Sequence, residues 1–250
     1  MRKLLLIGCT LLLSLTLCAQ EVESINMGIM YKWGLVNTEV AQASLTLEKA
    51  GADKFHGRMA VKSAPFFDVF YKMRENFQSW FMAEDFRPME FIRDTYEGGY
   101  TATNHYIYDW KAGVIHSEVC YNKKEPEKLE IPLQGMSYDL VTLVYYLRSI
   151  DWVQTPVDEP RIVPFAIDDT IFQVKVTYRG QERITVRRKG KYDALRFSCT
   201  VVAGALFAGD QELQVWFSDD DHHIPLAIMV PLKMGTMWAW LKTWEDHRNE

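Results

Sequence analysis

The sequence predicts a mainly β protein: a curved antiparallel sheet interrupted by two helices, one of them hydrophobic and buried. Three observations carry this. Most of the chain beyond residue 20 alternates apolar and polar residues with a period of two, the mark of strands with one buried face. Short turn sequences separate these runs, so strands adjacent in sequence are expected to be adjacent in the sheet. The helix predicted from Ser137 to about Ile150 leaves almost no polar stripe, and a helix apolar nearly all round must be buried nearly all round. Either it lies in the hollow of a strongly curved sheet, or it is sandwiched between the sheet and a partner protein.

In chain order the N-terminus comes first. Met1-Arg2-Lys3 precedes an apolar run from Leu4 to Leu17, followed by Cys18-Ala19-Gln20. A basic start, a short apolar core and a small exit residue form the secretory pattern. The run falls short of the roughly 20 residues that span a bilayer, and no later stretch is both long enough and charge-free. Residues 1–20 are therefore expected to be a signal peptide and 21–250 a single β-rich domain exported to the periplasm. Cleavage after Ala19 gives a free protein. The alternative is lipid anchoring through Cys18, which Leu17 disfavours because a lipidated cysteine normally follows Gly, Ala or Ser.

Tyr31–Val36, Gln42–Lys49 and Phe55–Lys62 read as three strands. Ser63 and Pro65 suit the opening of a first helix, with Phe66, Val69, Phe70 and Met73 on one side. Phe77–Met82, Met89–Tyr96, Thr101–Trp110 and Val114–Tyr121 are four further strands, and the alternating charges of Glu125 to Glu130 read as an exposed loop. Ser137 is placed as the cap of the hydrophobic helix, with Asp139 complementing its positive end. Asp168-Asp169 reads as a turn. Phe172, Val174, Val176 and Tyr178 alternate with Gln173, Lys175 and Thr177; Arg179-Gly180-Gln181-Glu182 then reads as a turn and Ile184 and Val186 as the return. Lys189-Gly190-Lys191 turns into Leu195–Val201, Gly209-Asp210 into Leu213–Phe217, and Ile224–Leu232 leads through Gly235 to Thr236–Trp244.

An ordered set of short motifs then carries a resemblance. Tyr31-Lys32-Trp33-Gly34-Leu35-Val36 opens the domain; Ser79-Trp80 is followed by Arg87-Pro88 and Phe91. Ser137-Tyr138-Asp139-Leu140 begins the helix that carries Tyr145-Tyr146-Leu147-Arg148-Ser149, and Phe217-Ser218-Asp219-Asp220 is followed by Ile224-Pro225-Leu226. Together they resemble an uncharacterised family of exported bacterial proteins, domain of unknown function 3108. The resemblance implies a half-open β-barrel wrapped around a helix, similar to the periplasmic lipoprotein carriers LolA and LolB. It supplies no catalytic residues.

The net charge of −5 becomes −7 without residues 1–20, which hold two basic and no acidic side chains. An acidic chain argues against nucleic acid and against electrostatic docking on anionic lipid. The basic cluster Arg187-Arg188-Lys189-Gly190-Lys191 fits a solvated hairpin turn. Cys120 and Cys199 remain beyond residue 20; they fall on opposite kinds of strand face, polar and apolar, and read as two thiols.

Catalytic motifs are not found: there is no G-x-S-x-G elbow, P-loop, G-x-G-x-x-G or H-E-x-x-H, and no cofactor is implied. Asp219, Asp221 and His223 share one face of an extended chain and form a weak candidate metal site; the plainer reading is a charged hairpin turn between the Leu213 and Ile224 strands. Arg148 ends a greasy helix, where a cation suits the negative helix end. It is expected either to pair with a buried carboxylate or to grip an anionic ligand head. Trp80, Tyr106, Tyr108, Trp238 and Trp240 lie on strands and are candidates, with Arg148, for lining a cavity, against an ordinary core role. The expected function is a non-enzymatic envelope protein binding a lipid or acyl chain. The alternative is an assembly protein whose barrel is filled by its own helix and whose surface meets another envelope protein.

Overall fold

The computed structural model of the protein describes residues 21–201 and 212–247; the expected signal peptide and the Gly209-Asp210 turn lie outside them. The elements are β1 (Glu21–Trp33), β2 (Val36–Lys49), β3 (Lys54–Ser63), β4 (Met73–Met82), β5 (Pro88–Glu97), β6 (Tyr100–Asp109), β7 (Val114–Tyr121) and β8 (Glu127–Pro132). Helix α1 (Leu140–Ser149) follows, then β9 (Pro160–Ile167), β10 (Thr170–Val186), β11 (Gly190–Val201), β12 (Leu213–Ser218), β13 (Pro225–Pro231) and β14 (Thr236–Asp246). All the strands join one sheet, in the order β8-β7-β6-β5-β4-β3-β2-β1-β14-β13-β12-β11-β10-β9. Every neighbouring pair is antiparallel. Two meanders, β1–β8 and β9–β14, are thus zipped together by the β1–β14 ladder, and the connector that carries α1 runs between the two free edges.

The sheet is open but strongly curled. Laid flat, the β9–β10 corner would lie roughly 50 Å from β6, at about 4.8 Å per strand. Instead the Tyr106 hydroxyl on β6 donates to the Asp168 carbonyl, and Arg93 on β5 pairs with the Asp168 carboxylate. The edges β8 and β9 do not pair with each other. Residues 133–139 cross from one to the other: Leu133 N–H donates to Gly113 O (2.9 Å), and Tyr138 bridges to Phe165 on β9. This connector covers the edge that an open sheet would otherwise expose.

α1 packs on β3, β4 and β9, so the face it touches is the concave one. There Ile25, Phe77, Phe81, Phe91, Tyr106 and Ile115 are buried in one cluster with Val141 and Tyr145 of the helix. Leu147 and Trp152 complete a second cluster with Val163, Phe165, Val176 and Phe197 of the other meander. The opposite face is also covered in its middle. The β10–β11 hairpin overhangs its neighbours, and Glu182 accepts from Trp216 Nε1 while Arg187 reaches Met30 Sδ. Beneath it Trp216, Trp238 and Trp240 stack in a row, with centroids 5.6 and 4.9 Å apart. Gly28 and Ala227 are the cross-strand partners of Trp240; a Cβ at Gly28 would stand 2.6 Å from Lys242 Cε, so the glycine makes room for the Lys242–Glu39 pair.

Several expected elements are corrected. The first helix does not form: residues 64–71 make only hydrogen-bonded turns. Phe66, Val69 and Phe70 remain exposed, and a short helix without a packed face gains little stability. Ser63 does not cap it; its hydroxyl is held between Asp68, Arg74 and the Met73 N–H. The run Tyr31–Val36 is broken by a two-residue loop at Gly34-Leu35, where Gly34 takes the φ of +55° that primed hairpin turns require. Glu125–Glu130 is not a loop but leads into the edge strand β8, whose inward side is only Leu129 and Ile131. Arg179–Glu182 is not a turn. β10 runs through it with one extra residue against β11, a bulge at which Gly180 has φ +93°. The helix starts later than expected, capped by Asp139 rather than Ser137. Cys120 and Cys199 are free thiols.

Candidate functional site: the cleft beside the helix

The helix is fixed at both ends by buried polar groups. At its start the Asp139 carboxylate accepts from Val141 N–H and Thr142 N–H (both 2.8 Å), and Thr142 Oγ1 accepts in return from Asp139 N–H (2.9 Å), a capping box. Ser79 of β4 donates to the other carboxylate oxygen at 2.5 Å, which ties the cap to the sheet. Burial raises the Asp139 pKa to about 6, against the lowering effect of these hydrogen bonds. Between the ends, Gly57 of β3 lets the helix come close. A Cβ there would stand 2.7 Å from Val141 Cγ1 and 3.2 Å from the Tyr145 ring.

At the other end Arg148 forms a two-pronged pair with Glu23 of β1, at 2.6 and 2.7 Å, with both side chains almost fully buried. Its remaining donors reach the carbonyls of His222 and His223, both at 3.1 Å, and Trp244 Nε1 donates to the same carboxylate. The last helical carbonyls are met as well. Trp152 Nε1 donates to Leu147 O, and His223 Nδ1 lies 2.7 Å from Arg148 O, so His223 carries its proton on Nδ1. Both helix ends thus have partners for groups that a helix leaves unsatisfied.

Beside this anchored end lies a cleft of about 230 Å³. Val22, Leu47, Phe55, Phe86 and Tyr145 make its apolar wall, and Glu23, Arg148, Asp221 and His222 make its rim. Tyr145 is stacked on Phe81 and sits 5.5 Å beneath the Arg148 guanidinium, yet its hydroxyl is buried without a partner.

A second polar locus lies further along the concave face. Arg93 donates to Thr95 Oγ1 (2.8 Å), whose hydroxyl donates to Glu75 (2.6 Å), while Asp168 closes the other side. Burial lifts the Glu75 pKa to about 7, opposed by the Thr95 hydrogen bond. Glu75 Oε1, Asn104 Oδ1 and Ser117 Oγ are buried there without protein partners.

The candidate residues read from the sequence do not converge. Tyr106 and Tyr108 are buried on the concave face, Tyr106 bonded to Asp168 and Tyr108 stacked on Trp110. Trp80 lies on the opposite face, stacked on His56 at 4.1 Å, and Trp238 and Trp240 are under the hairpin. Of the two roles considered for Arg148, the geometry supports pairing: every guanidinium nitrogen is engaged by protein. Asp219, Asp221 and His223 are not brought together as a group of ligands. Asp219 accepts from Gln181, His223 is turned to Arg148 O, and no group of metal-binding side chains assembles among the described residues. His105 and His116 border a shallow surface groove, each paired with its own half-exposed or exposed glutamate, Glu90 and Glu130. Glu23, Phe55 and Gly57 were missed. The available signal was Glu23 itself, a lone carboxylate in phase with Ile25, Met27 and Ile29.

An open, curled antiparallel sheet with one buried helix defines the molecule as β-barrel-like. The chain belongs to the family described as protein of unknown function (DUF3108), whose profile matches residues 29–240. Among solved structures it is similar to the crystal structure of a beta-barrel-like protein of domain of unknown function DUF1849 from Brucella abortus. The TM-score is 0.57 at 9% identity, over 92% of this chain and 100% of that one. No curated protein matches. No helix among the described residues is long and apolar enough to cross a membrane.

Proposed function

We propose that the protein is an exported, non-enzymatic component of the cell envelope. Its half-open barrel, built around its own helix, receives the end of a single apolar chain in the cleft beside α1. One observation carries this reading: an apolar wall of Val22, Leu47, Phe55, Phe86 and Tyr145 stands under a polar rim, the arrangement that binding sites for amphiphiles use. The size sets the ligand class. At about 230 Å³ the cleft is below the roughly 300–1,000 Å³ of pockets that enclose a drug-sized molecule. It suits the tip of one acyl chain and not a whole diacyl lipid. Export rests on the N-terminal sequence.

The assembly reading is the second, and the packing of Val141 and Tyr145 onto Gly57 and Phe81 favours it, because the hollow beneath the helix is already filled. Native mass spectrometry with lipid extraction, on protein purified from its own envelope, separates the two. The expected result is one single-chain amphiphile per protein, lost in Ala83→Trp, because Ala83 also lines the cleft and an indole there would fill it. Lipid-free protein that also fails to take up added fatty acid would leave only the assembly role.

A further inference from the structure

Because successive strands run in opposite directions, the turns β1–β2, β3–β4, β5–β6 and β13–β14 all emerge at one end of the sheet, the end away from the cleft. They form a continuous rim. Gly235 in the β13–β14 turn fits so closely against Lys32 and Trp33 that a Cβ would strike the Lys32 carbonyl at 2.3 Å. Ala64 at the start of the β3–β4 connection donates to Val40 O (2.7 Å), and Gly98 in the β5–β6 turn donates to Lys72 O (2.9 Å), with Tyr71 lying against it.

Among the described residues, this rim carries most of the large apolar side chains that are exposed. Leu35 is fully exposed, Val69 and Phe70 are each 81% exposed, and Trp33, Phe66 and Met234 are more than half exposed. Exposed apolar side chains gathered at one end of a molecule mark an interaction site. Here they stand on the tips of separate turns as prongs, whose burial in lipid would remove each from water. Behind them sit exposed Tyr71, Tyr96 and Tyr100, and Trp and Tyr favour the headgroup level of a bilayer. Lys32, Lys72 and Lys233 are exposed among them. The one acid inside the β3–β4 connection, Asp68, is paired with Arg74; Glu97 and the half-buried Glu75 lie near Tyr71, and Asp168, near Tyr100, is paired with Arg93. Lys32, Lys72 and Lys233 therefore give the rim a cationic fringe on an acidic chain, complementary to lipid phosphate.

We infer that this rim docks on a lipid bilayer surface, with Leu35, Val69 and Phe70 entering the acyl boundary and the lysines meeting headgroup phosphate. The inference is independent of the cleft. β1 has 13 residues, so at about 3.3 Å per residue the cleft end would stand roughly 40 Å off the membrane, facing the aqueous side. The test is flotation of the purified protein with vesicles of phosphatidylethanolamine and phosphatidylglycerol, beside vesicles of phosphatidylcholine alone. Wild type is expected to float with both, more with the anionic vesicles at low salt. Leu35→Asp/Phe70→Asp is expected to lose about tenfold in partitioning, with its thermal midpoint unchanged. Wild type that stays at the bottom of the gradient with every vesicle overturns the inference, as does equal flotation of the double variant. Vesicle-free capture of a protein through a photo-crosslinker at position 35, with no flotation, would reassign the rim to that partner.

Discussion

The two ends of the sheet are built on opposite terms. At the helix end the charged groups are sunk and matched: Asp139 within its capping box and under Ser79, Arg148 in its two-pronged pair with Glu23. At the other end charged groups are also sunk, Arg93 with Thr95 and Asp168, but the apolar side chains of the turns are held out, with Leu35 and Phe70 touching little of the protein. The difference teaches where stability and where contact with other molecules reside. One end spends its unusual residues on holding a helix in a hollow. The other displays residues that do nothing for the fold.

The comparison is broken most directly at Arg148. Replacing it with Met removes the guanidinium and leaves the Glu23 charge buried with only the Trp244 N–H beside it, which costs about 3–5 kcal/mol. The double variant Arg148→Met/Glu23→Leu is expected to regain most of that loss, because an apolar pair of similar volume replaces a desolvated ion pair. Urea denaturation of the three proteins measures both numbers. A single variant as stable as wild type would mean that water, not Arg148, satisfies Glu23.

How much of this contrast was legible in the sequence depends on which physics wrote it. The strands and their order follow from period-two alternation, so the meander is readable from Gln42 onward and in the Phe172–Tyr178 run, while Tyr31–Val36 spans a hairpin loop. The buried helix was readable because Leu140–Leu147 offers no polar stripe. The bulge at Arg179–Gly180 was not: glycine between polar residues serves a turn or a bulge equally, and only the ladder with β11 decides. β8 was hidden because an edge strand with two inward residues is written mostly in charges. The β3–β4 connection was read as a helix from the spacing of Phe66, Val69, Phe70 and Met73; what was missing was a surface for that face to pack on. The site was less legible than the fold. Trp238 and Trp240 were chosen for sharing a strand face, but which face is covered by a hairpin is a tertiary fact. Glu23 and Arg148 each stood alone on an apolar pattern, and pairing the two anomalies would have found the anchor.

A smaller effect sharpens the same comparison through pH. The Asp139 pKa is raised from 3.8 to about 6 in the fold, chiefly by burial. A carboxyl raised on folding contributes most below its unfolded pKa, and that contribution is lost as pH climbs through the folded value. Its share of stability therefore falls between about pH 4 and pH 6 and is flat above. Asp139→Asn keeps a good capping residue and carries no charge to desolvate. It is expected to be more stable than wild type at pH 8, by up to about 3 kcal/mol, and equal to it near pH 4. Melting curves across that range test this, and a variant less stable at pH 8 would show that the carboxylate stays charged and is favoured where it lies.

The smallest effect is the one that separates the two ends most cleanly. Leu35→Ser and Phe70→Ser each remove a large apolar side chain, a change that inside a core costs several kcal/mol. At the rim these side chains bury little, so each variant is expected within about 0.5 kcal/mol of wild type. Urea midpoints would show it, with slopes unchanged because the surface exposed on unfolding is the same. A loss above 1 kcal/mol in either variant would place that side chain in the fold itself. A null result is informative because exposed Leu and Phe on turn tips carry a solubility cost with no return in stability. Side chains that do not support the fold are free for the bilayer contact inferred for this rim, so unchanged stability together with lost flotation would assign Leu35 and Phe70 to that contact alone.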